Sequence, residues 1–405
     1  MTNNLPLSDV KILDLMWVMA GPAGTRILAD HGATLVRVDS QRRIDTARTL
    51  QPFLNRKPGP DNSALFQNLN VGKYGVSIDL TKEAGREVIH DLVCWADVVT
   101  ESFSPRAMKG WGLDYQSLRK IKPDIIMISS CLMGQTGPWA QFAGFGNLAA
   151  AISGFFNLVS WPDRPPAGPF SAYTDYVSPR FTALAILAAL EHRRRTGQGQ
   201  YIDQSQAEAS LHFLTPALLD YTVNGRIQEK RGNHDLSLAP HGVYPAAGKD
   251  RWVVLAIQTE QQWQSLCSTM GKPELLTDER FATMAARLAH QDELDDIISA
   301  WTCAQDRFAL EEMLQARGVA AGAVRSLHEL ATDPQLQHRG HFIQLEHERL
   351  GPVTVEGPRF RLSRTPAEVK RATPYWGRDN QYVLEKILGY SEEKITELIV
   401  AEALE

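Results

Sequence analysis

The chain is poor in most features that would set it apart from an ordinary globular enzyme. Its 405 residues include only four cysteines, Cys94, Cys131, Cys267 and Cys303. They lie far apart with no C-x-x-C pair, which excludes a disulfide framework and a zinc knuckle and points to a reducing compartment. No long hydrophobic run occurs: the longest, Phe181 to Leu190, is half of the roughly 20 residues that a membrane span needs. Met1 to Lys11 has no basic segment followed by an apolar stretch, so the expectation is a cytoplasmic protein with no membrane partner. Neither sign of charge dominates, since 42 Lys and Arg face 47 Asp and Glu for a net charge of -5. That balance excludes a global field for nucleic acid or an anionic membrane, so any anionic ligand must be held by a local constellation. Internal repeats, low-complexity tracts, a G-x-S-x-G elbow and a G-x-x-x-x-G-K-[ST] loop are all missing, which leaves serine-hydrolase and P-loop readings without support.

What is present is a β/α texture, with 43% hydrophobic and 22% charged residues and length for two or three domains. Val10–Val18 and Thr34–Asp39 read as strands around a helix at Ala23–His31. Val76–Leu80, a helix at Lys82–Ala96, Asp97–Glu101 and Asp124–Ser130 continue the alternation. This predicts a Rossmann-like α/β domain with a mostly parallel sheet and helices on both faces. A helix over Pro179–Arg195 is expected, with Ser178 as cap, Pro179 in the first turn and Gly197 past the end. Its basic run, His192 to Arg195, complements the helix dipole. A second long helix is expected at Gln204–Tyr221. The texture changes near Asn224, where hairpin signals and three helical segments, Glu260–Met270, Asp278–Thr302 and Arg307–Arg317, predict a smaller α+β domain. It changes again near Asp333, beyond which turns precede helices at Gln381–Leu388 and Ser391–Ala403. The expected boundaries are therefore 1–223, 224–333 and 334–405.

Three constellations invite a chemical reading. Gly144-Phe145-Gly146-Asn147-Leu148-Ala149 matches G-x-G-x-x-A, but the preceding strand ends well upstream and no acidic residue sits at a following strand end, so nicotinamide or flavin binding is not supported. His338, His341 and His347 with Glu346 are the densest histidine group, yet their spacing fits neither H-E-x-x-H nor a C₂H₂ pattern, and no metal is expected. Asp175, three residues before the Ser178-Pro179 helix start, is either a helix-entry acid or a carboxylate nucleophile.

Several segments, in this order, resemble the class III CoA-transferase family (formyl-CoA transferase and carnitine CoA-transferase, CaiB/BaiF type). They are Leu13-Asp14-Leu15 with Ala20-Gly21-Pro22-Ala23; Gly32-Ala33 into Val36-Arg37-Val38-Asp39; Asn70-x-x-Lys73 before Ser77-x-Asp79-Leu80; and Glu101-Ser102-Phe103 through Gly112-Leu113. Gly134-Gln135-Thr136-Gly137-Pro138, the Asp175 segment, Thr196-Gly197-Gln198-Gly199-Gln200 with Ile202-Asp203, and Leu388-Gly389-Tyr390-Ser391 follow. The resemblance implies a large domain built from both chain ends, a small domain from the middle, and an interlocked ring-like homodimer, or a heteromer with a paralogous subunit. It implies acyl-CoA and a carboxylic acid as substrates, without a permanently bound cofactor, and Asp175 as the catalytic residue. CoA is expected against Val18 to Ala20, Leu69, Lys73, Ser102, Phe103, Lys109 and Trp111, with Arg42 near its phosphates.

The implied mechanism runs through an aspartyl-acyl anhydride and an aspartyl-CoA thioester, and exchanging one thioester for another needs neither ATP nor a metal. The rival α-methylacyl-CoA racemase branch uses an additional histidine where this chain has Phe145, which cannot shuttle a proton. A non-catalytic CoA-binding subunit of a heteromeric transferase is the alternative from another class. This chain departs from the transferase pattern at Gly146, where an acidic residue is common, and at Ser40, where a basic residue is frequent. It also reads Ala239-Pro240-His241-Gly242 where relatives often carry a glycine-rich lid. Trp17, Met19, Phe145, Phe155, Phe156 and Trp161 favour a bulky apolar acid, with succinyl-CoA as donor and an aryl- or alkyl-substituted succinate as a permissible acceptor.

Overall fold

Parallel strands need a crossover between neighbours, and the helices that punctuate the early sequence supply it. In the computed structural model, which describes residues 5–405, β1 (Lys11–Leu15), β2 (Thr34–Asp39), β3 (Tyr74–Ser77), β4 (Val98–Glu101), β5 (Ile126–Cys131) and β6 (Tyr201–Ser205) form a six-stranded sheet. Every pairing in it is parallel and the spatial order is β3-β2-β1-β4-β5-β6. The order reverses between β1 and β4, which opens a crevice at the carboxyl ends of the strands. One face packs Leu13, Leu15, Val36, Val76 and Val99 against Val88, Ile89, Leu92 and Val93 of the Glu83–Trp95 helix. The other packs Ile12, Leu35, Val98, Ile126 and Ile128 against Leu28 and Ala183, Ile186 and Ala189 of the Tyr173–Thr196 helix. The C-terminal segment covers the β3 edge: Asp79 N–H donates to Ala403 O (3.0 Å) and Ser77 N–H to Asn380 Oδ1 (2.9 Å).

The chain divides into two units. The first takes in the chain to Phe156, Gly168–Ile227 and Gln335–Glu405; the second takes in Asn157–Ala167 and Gln228–Pro334. Asn157–Ala167 lies inside the stretch expected to belong to the first domain, but Gly232 N–H donates to Ser160 O (3.0 Å), and the missing Cβ of Gly232 makes room for the Trp161 ring. The second unit holds an antiparallel sheet of β7 (His241–Pro245), β8 (Trp252–Ala256) and β9 (Ala320–Ala323) over a core that includes Trp263, Leu266, Ile298, Leu310 and Leu314.

Several expectations need correcting. The helix expected at Pro179 begins at Tyr173, so Ser178 is not its cap and Pro179 lies in its interior. The Thr174-to-Val177 run already has helical geometry, and Gln204 from β6 ties the residue before the proline to the sheet by donating to Ser178 O (3.1 Å) and Ser178 Oγ (2.9 Å). The expected Gln204–Tyr221 helix is instead the end of β6 followed by helices at Gln206–Leu211 and Thr215–Asn224. Asp278–Thr302 holds two helices, Met284–Ala289 and Gln291–Thr302, the first capped by Thr283. The turn-rich segment after Asp333 contains a hairpin of β10 (Phe342–His347) and β11 (Gly351–Glu356). Arg193 pairs with Asp97, and Arg194 and Arg195 with Glu191, which occupies all three arginines of the basic run. Among the described residues no helix is long and apolar enough to cross a membrane, and no group of three or more His, Cys, Asp or Glu side chains could hold a metal ion.

Candidate active site

Asp175 stands in the first turn of the Tyr173–Thr196 helix and is 6% exposed. That helix can lie close to the Ala20–Asp30 helix because Gly24 has no side chain: a Cβ there would sit 2.9 Å from Thr182 Cβ. Two neutral donors hold the carboxylate. Gly146 N–H donates to Oδ2 at 3.3 Å, and the Gln206 side-chain amide donates to Oδ1. Gln206 also donates to Thr174 Oγ1 (2.9 Å), whose hydroxyl donates to Gly146 O (2.9 Å), so the three segments lock one another. Burial pushes the Asp175 carboxyl above the usual carboxylate range, with the Gln206 and Gly146 donors opposing it in part. The result is a desolvated carboxylate without a bonded cation among the described residues, a more basic and more nucleophilic group than one in water. Glycine at 146 follows from this geometry, because a Cβ there would meet the Asp175 carboxyl carbon at 2.7 Å. An acidic side chain at 146 would have to displace Asp175.

Asp175 and Gln206 line a cavity of about 210 Å³ together with Trp17, Val18, Met19, Ala20, Ser102, Phe103, Cys131, Leu132, Phe142 and Phe145. A second cavity of about 220 Å³ is lined by Trp17, Phe103, Trp111, Arg42, Arg43, Asp79 and Leu80. Trp17 and Phe103 border both, so the two form adjoining sections of one groove across the point where strand order reverses. Phe103 meets Trp17 and Trp111 edge to face, at 5.3 and 5.2 Å between ring centroids. The β1 loop is fixed from below. Val18, a β-branched residue at φ 66°, gives its N–H to Asp45 Oδ1 (2.9 Å), and Trp17 N–H donates to Ser102 Oγ (2.9 Å). Such a φ is strained for valine and persists only where the surroundings enforce it. Here they do: Asp45 pairs with the fully buried Arg37 at 2.5 Å, and Arg37 also donates to Met16 O at 2.7 Å.

The structure thus gathers Trp17, Val18, Met19, Ala20, Ser102, Phe103, Phe145 and Asp175 around one section, with Arg42 and Trp111 around the other. Arg42 is half exposed and pairs with Asp79 (2.8 Å). Leu69, Lys73 and Lys109 are not brought to the groove. Lys73 is fully buried and donates to Asp14 Oδ2 (2.8 Å), Thr25 Oγ1 (2.8 Å), Asn70 Oδ1 (3.0 Å) and Pro22 O (3.1 Å), which leaves it nothing for a ligand phosphate. Leu69 lines a separate cavity with Asp30, His31 and Tyr176. Lys109 is exposed on the Pro105–Gly110 helix. Phe155 packs on Tyr173, Phe156 against Gly168, and Trp161 belongs to the second unit. Sequence reasoning missed Gln206, Cys131, Leu132 and Phe142. Recognising β6 after Gly197 would have placed Gln206 at a strand's carboxyl end, where α/β sites form.

Against known proteins, the model of CoA-transferase family III matches residues 7–380. Succinyl-CoA--D-citramalate CoA-transferase of Chloroflexus aurantiacus is 34% identical over 393 residues, covering 97% of this chain and 96% of the relative. Succinate--glutarate CoA-transferase of Agrobacterium fabrum is 34% identical over 386 residues, covering 94% and 96%. Among solved structures, a CaiB/BaiF family protein from Brucella suis superposes with a TM-score of 0.87 at 30% identity, covering 95% of this chain and 100% of that one.

Proposed function

Because the chain belongs to CoA-transferase family III, we propose that it moves CoA between two carboxylic acids with Asp175 as the covalent carrier. The observation that carries this reading is the buried Asp175 carboxylate, held by two neutral donors beside the groove at the strand-order reversal. Asp175 attacks the acyl-CoA carbonyl; its C–S bond breaks, CoA leaves as thiolate and an aspartyl-acyl anhydride forms. The thiolate attacks the aspartyl carbonyl, which releases the donor acid and leaves an aspartyl-CoA thioester. The acceptor carboxylate then attacks this thioester to form a second anhydride and free the thiolate, which takes the acceptor acyl group and returns Asp175 to its carboxylate. Gly146 N–H and Gln206 already bond the two Asp175 oxygens, so donors are in place when negative charge develops there.

The section beside Asp175 has Trp17, Met19, Leu132, Phe142 and Phe145 in its lining, with Asp175 as its single carboxylate and no Lys, Arg or His among the described residues. That lining suits an acceptor with an apolar body. Combined with relatives named for succinyl-CoA with citramalate and for succinate with glutarate, it points to succinyl-CoA as donor and an alkyl- or aryl-substituted dicarboxylic acid as acceptor. Acyl-CoA rests along the β1 and β4 loops, over Trp17, Phe103 and Trp111, with Arg42 toward the phosphates. A homodimer is part of the proposal, supported by the exposed apolar side chains Phe213, Leu218, Leu219, Tyr221, Val223 and Ile227, a larger set than a monomer usually leaves in water.

Chromatography of CoA esters after incubation with succinyl-CoA and a panel of acids tests the function. Substituted succinates are expected to yield new CoA esters faster than oxalate or formate. Failure of every donor and acceptor pair, or exchange of an α-proton with solvent without acyl transfer, contradicts it.

A further inference from the structure

Glu101, the last residue of β4, takes no part in the exchange chemistry, yet it is 1% exposed and has no cation in contact among the described residues. Its neighbours are set by strand register: Glu101 lies opposite Ser129 on β5, and Ser129 opposite Asp203 on β6. One row of the sheet therefore carries two carboxyl groups with a serine between them. Tyr201 and Cys131 stand two residues away on the same side of β6 and β5. Burial pushes the Glu101 carboxyl up to about 7, with the Asp203 charge adding to the rise and Ser129 and the Phe103 N–H opposing it. Burial likewise pushes the Tyr201 hydroxyl to about 12 and the Cys131 thiol to about 11. Of these three raised groups, Glu101 lies nearest neutral pH.

The Phe103 peptide is bracketed from both ends. Its N–H donates to Glu101 Oε2 at 2.7 Å, and the Gln135 side-chain amide donates both to Phe103 O (3.3 Å) and to Glu101 Oε1 (3.4 Å). Asp203 anchors the other end of this bracket by accepting from Gln135 N–H (2.7 Å) and Thr136 Oγ1 (3.3 Å). Phe103 in turn carries the aromatic wall shared by both sections of the groove, against Trp17 and Trp111.

We propose that Glu101 is a positioning residue for acyl-CoA: with Gln135 it fixes the Phe103 peptide, and its proton tunes how tightly the groove holds the ligand. The inference rests on the placing of CoA in this groove. The protonated carboxyl accepts the Phe103 N–H without repelling Asp203. Ionisation tightens the two N–H bonds to Glu101, so the peptide stays held; what changes is the charge, a second negative charge on the row and an anion beneath a groove that takes a polyanion. Binding therefore weakens as pH rises through about 7.

The test is calorimetric titration of free CoA at pH 6 and pH 8 into wild type, Glu101→Gln and Gln135→Leu, with kcat and KM for the acyl-CoA measured alongside. The glutamine amide keeps an acceptor for Phe103 N–H and cannot ionise. Glu101→Gln is expected to bind CoA about fivefold more tightly than wild type at pH 8, a modest coupling between two sites, and to match it at pH 6. The change should fall on KM rather than kcat. Gln135→Leu, which loses one arm of the bracket, is expected to bind more weakly at both pH values, and it keeps the test open if Glu101→Gln does not fold. Identical pH dependence in wild type and Glu101→Gln, or unweakened binding by Gln135→Leu, overturns the inference alone. No CoA binding by wild type at either pH overturns the functional reading as well.

Discussion

Replacing Asp175 by asparagine is expected to lower acyl exchange by at least about 10⁴-fold, the scale seen when a covalent nucleophile is removed, and at the same time to stabilise the fold at pH 8. Both effects come from the same burial. The carboxyl is raised above the usual carboxylate range, so the folded protein binds this proton more tightly than the unfolded chain does. Above the ordinary carboxylate range of about 4, the ionised side chain therefore costs stability; once both states are protonated the cost vanishes. Asparagine removes the charge and keeps an acceptor for one of the two donors, Gly146 N–H, while Gln206 must turn its amide to meet the new NH2 group. Urea denaturation should show Asp175→Asn gaining stability relative to wild type as pH rises from 4 to 8, the trade of stability for activity common to catalytic groups. A variant that loses stability at pH 8 and keeps its turnover would contradict this account of the site.

The second large effect lies below the groove. Lys73→Met is expected to cost about 3–5 kcal/mol in the same measurement, because it removes one partner of a buried ion pair and strands the other. Asp14 stays ionised in the interior: burial pushes its carboxyl up, and the Lys73 and Arg37 charges outweigh this and hold it below the usual range. Asp14 also accepts from Met16 N–H (3.1 Å) and Thr100 Oγ1 (2.9 Å), so it joins the loop after β1 to β4. The paired change Asp14→Asn with Lys73→Met should recover part of the loss, since no charge is then left without its partner. If Lys73 held CoA phosphates instead, its replacement would weaken CoA binding with little change in stability.

Lys73 also shows what the sequence could convey and what it could not. The Asn70-x-x-Lys73 pattern was legible as a marker, but only folding reveals that Asn70 Oδ1 accepts from both Lys73 and Arg37, which makes it part of the scaffold under the loop. The parallel sheet followed from β/α alternation, though not its strand order, and Thr34–Asp39 and Glu260–Met270 match their elements to the residue. The sixth strand was hidden because Tyr201–Ser205 runs directly into the Gln206–Leu211 helix with no glycine or proline between them. Pro179 misled for a physical reason: proline favours a first turn, whereas this helix begins at Tyr173 and carries it in its interior, where it has no N–H for Asp175 O. Asp175 and Gly146 were both legible as site residues, while Gln206 was not, because it reaches Asp175 from a segment 31 residues away.

The central claim is that Asp175 carries CoA covalently. Rapid quenching of the enzyme with succinyl-CoA, proteolysis and mass spectrometry of the peptide that contains Asp175 tests it most directly. The account predicts a CoA thioester on Asp175 in the wild type, cleared by an acceptor acid and not formed by Asp175→Ala. A wild type that turns over without any adduct, or an undiminished adduct in Asp175→Ala, would contradict it.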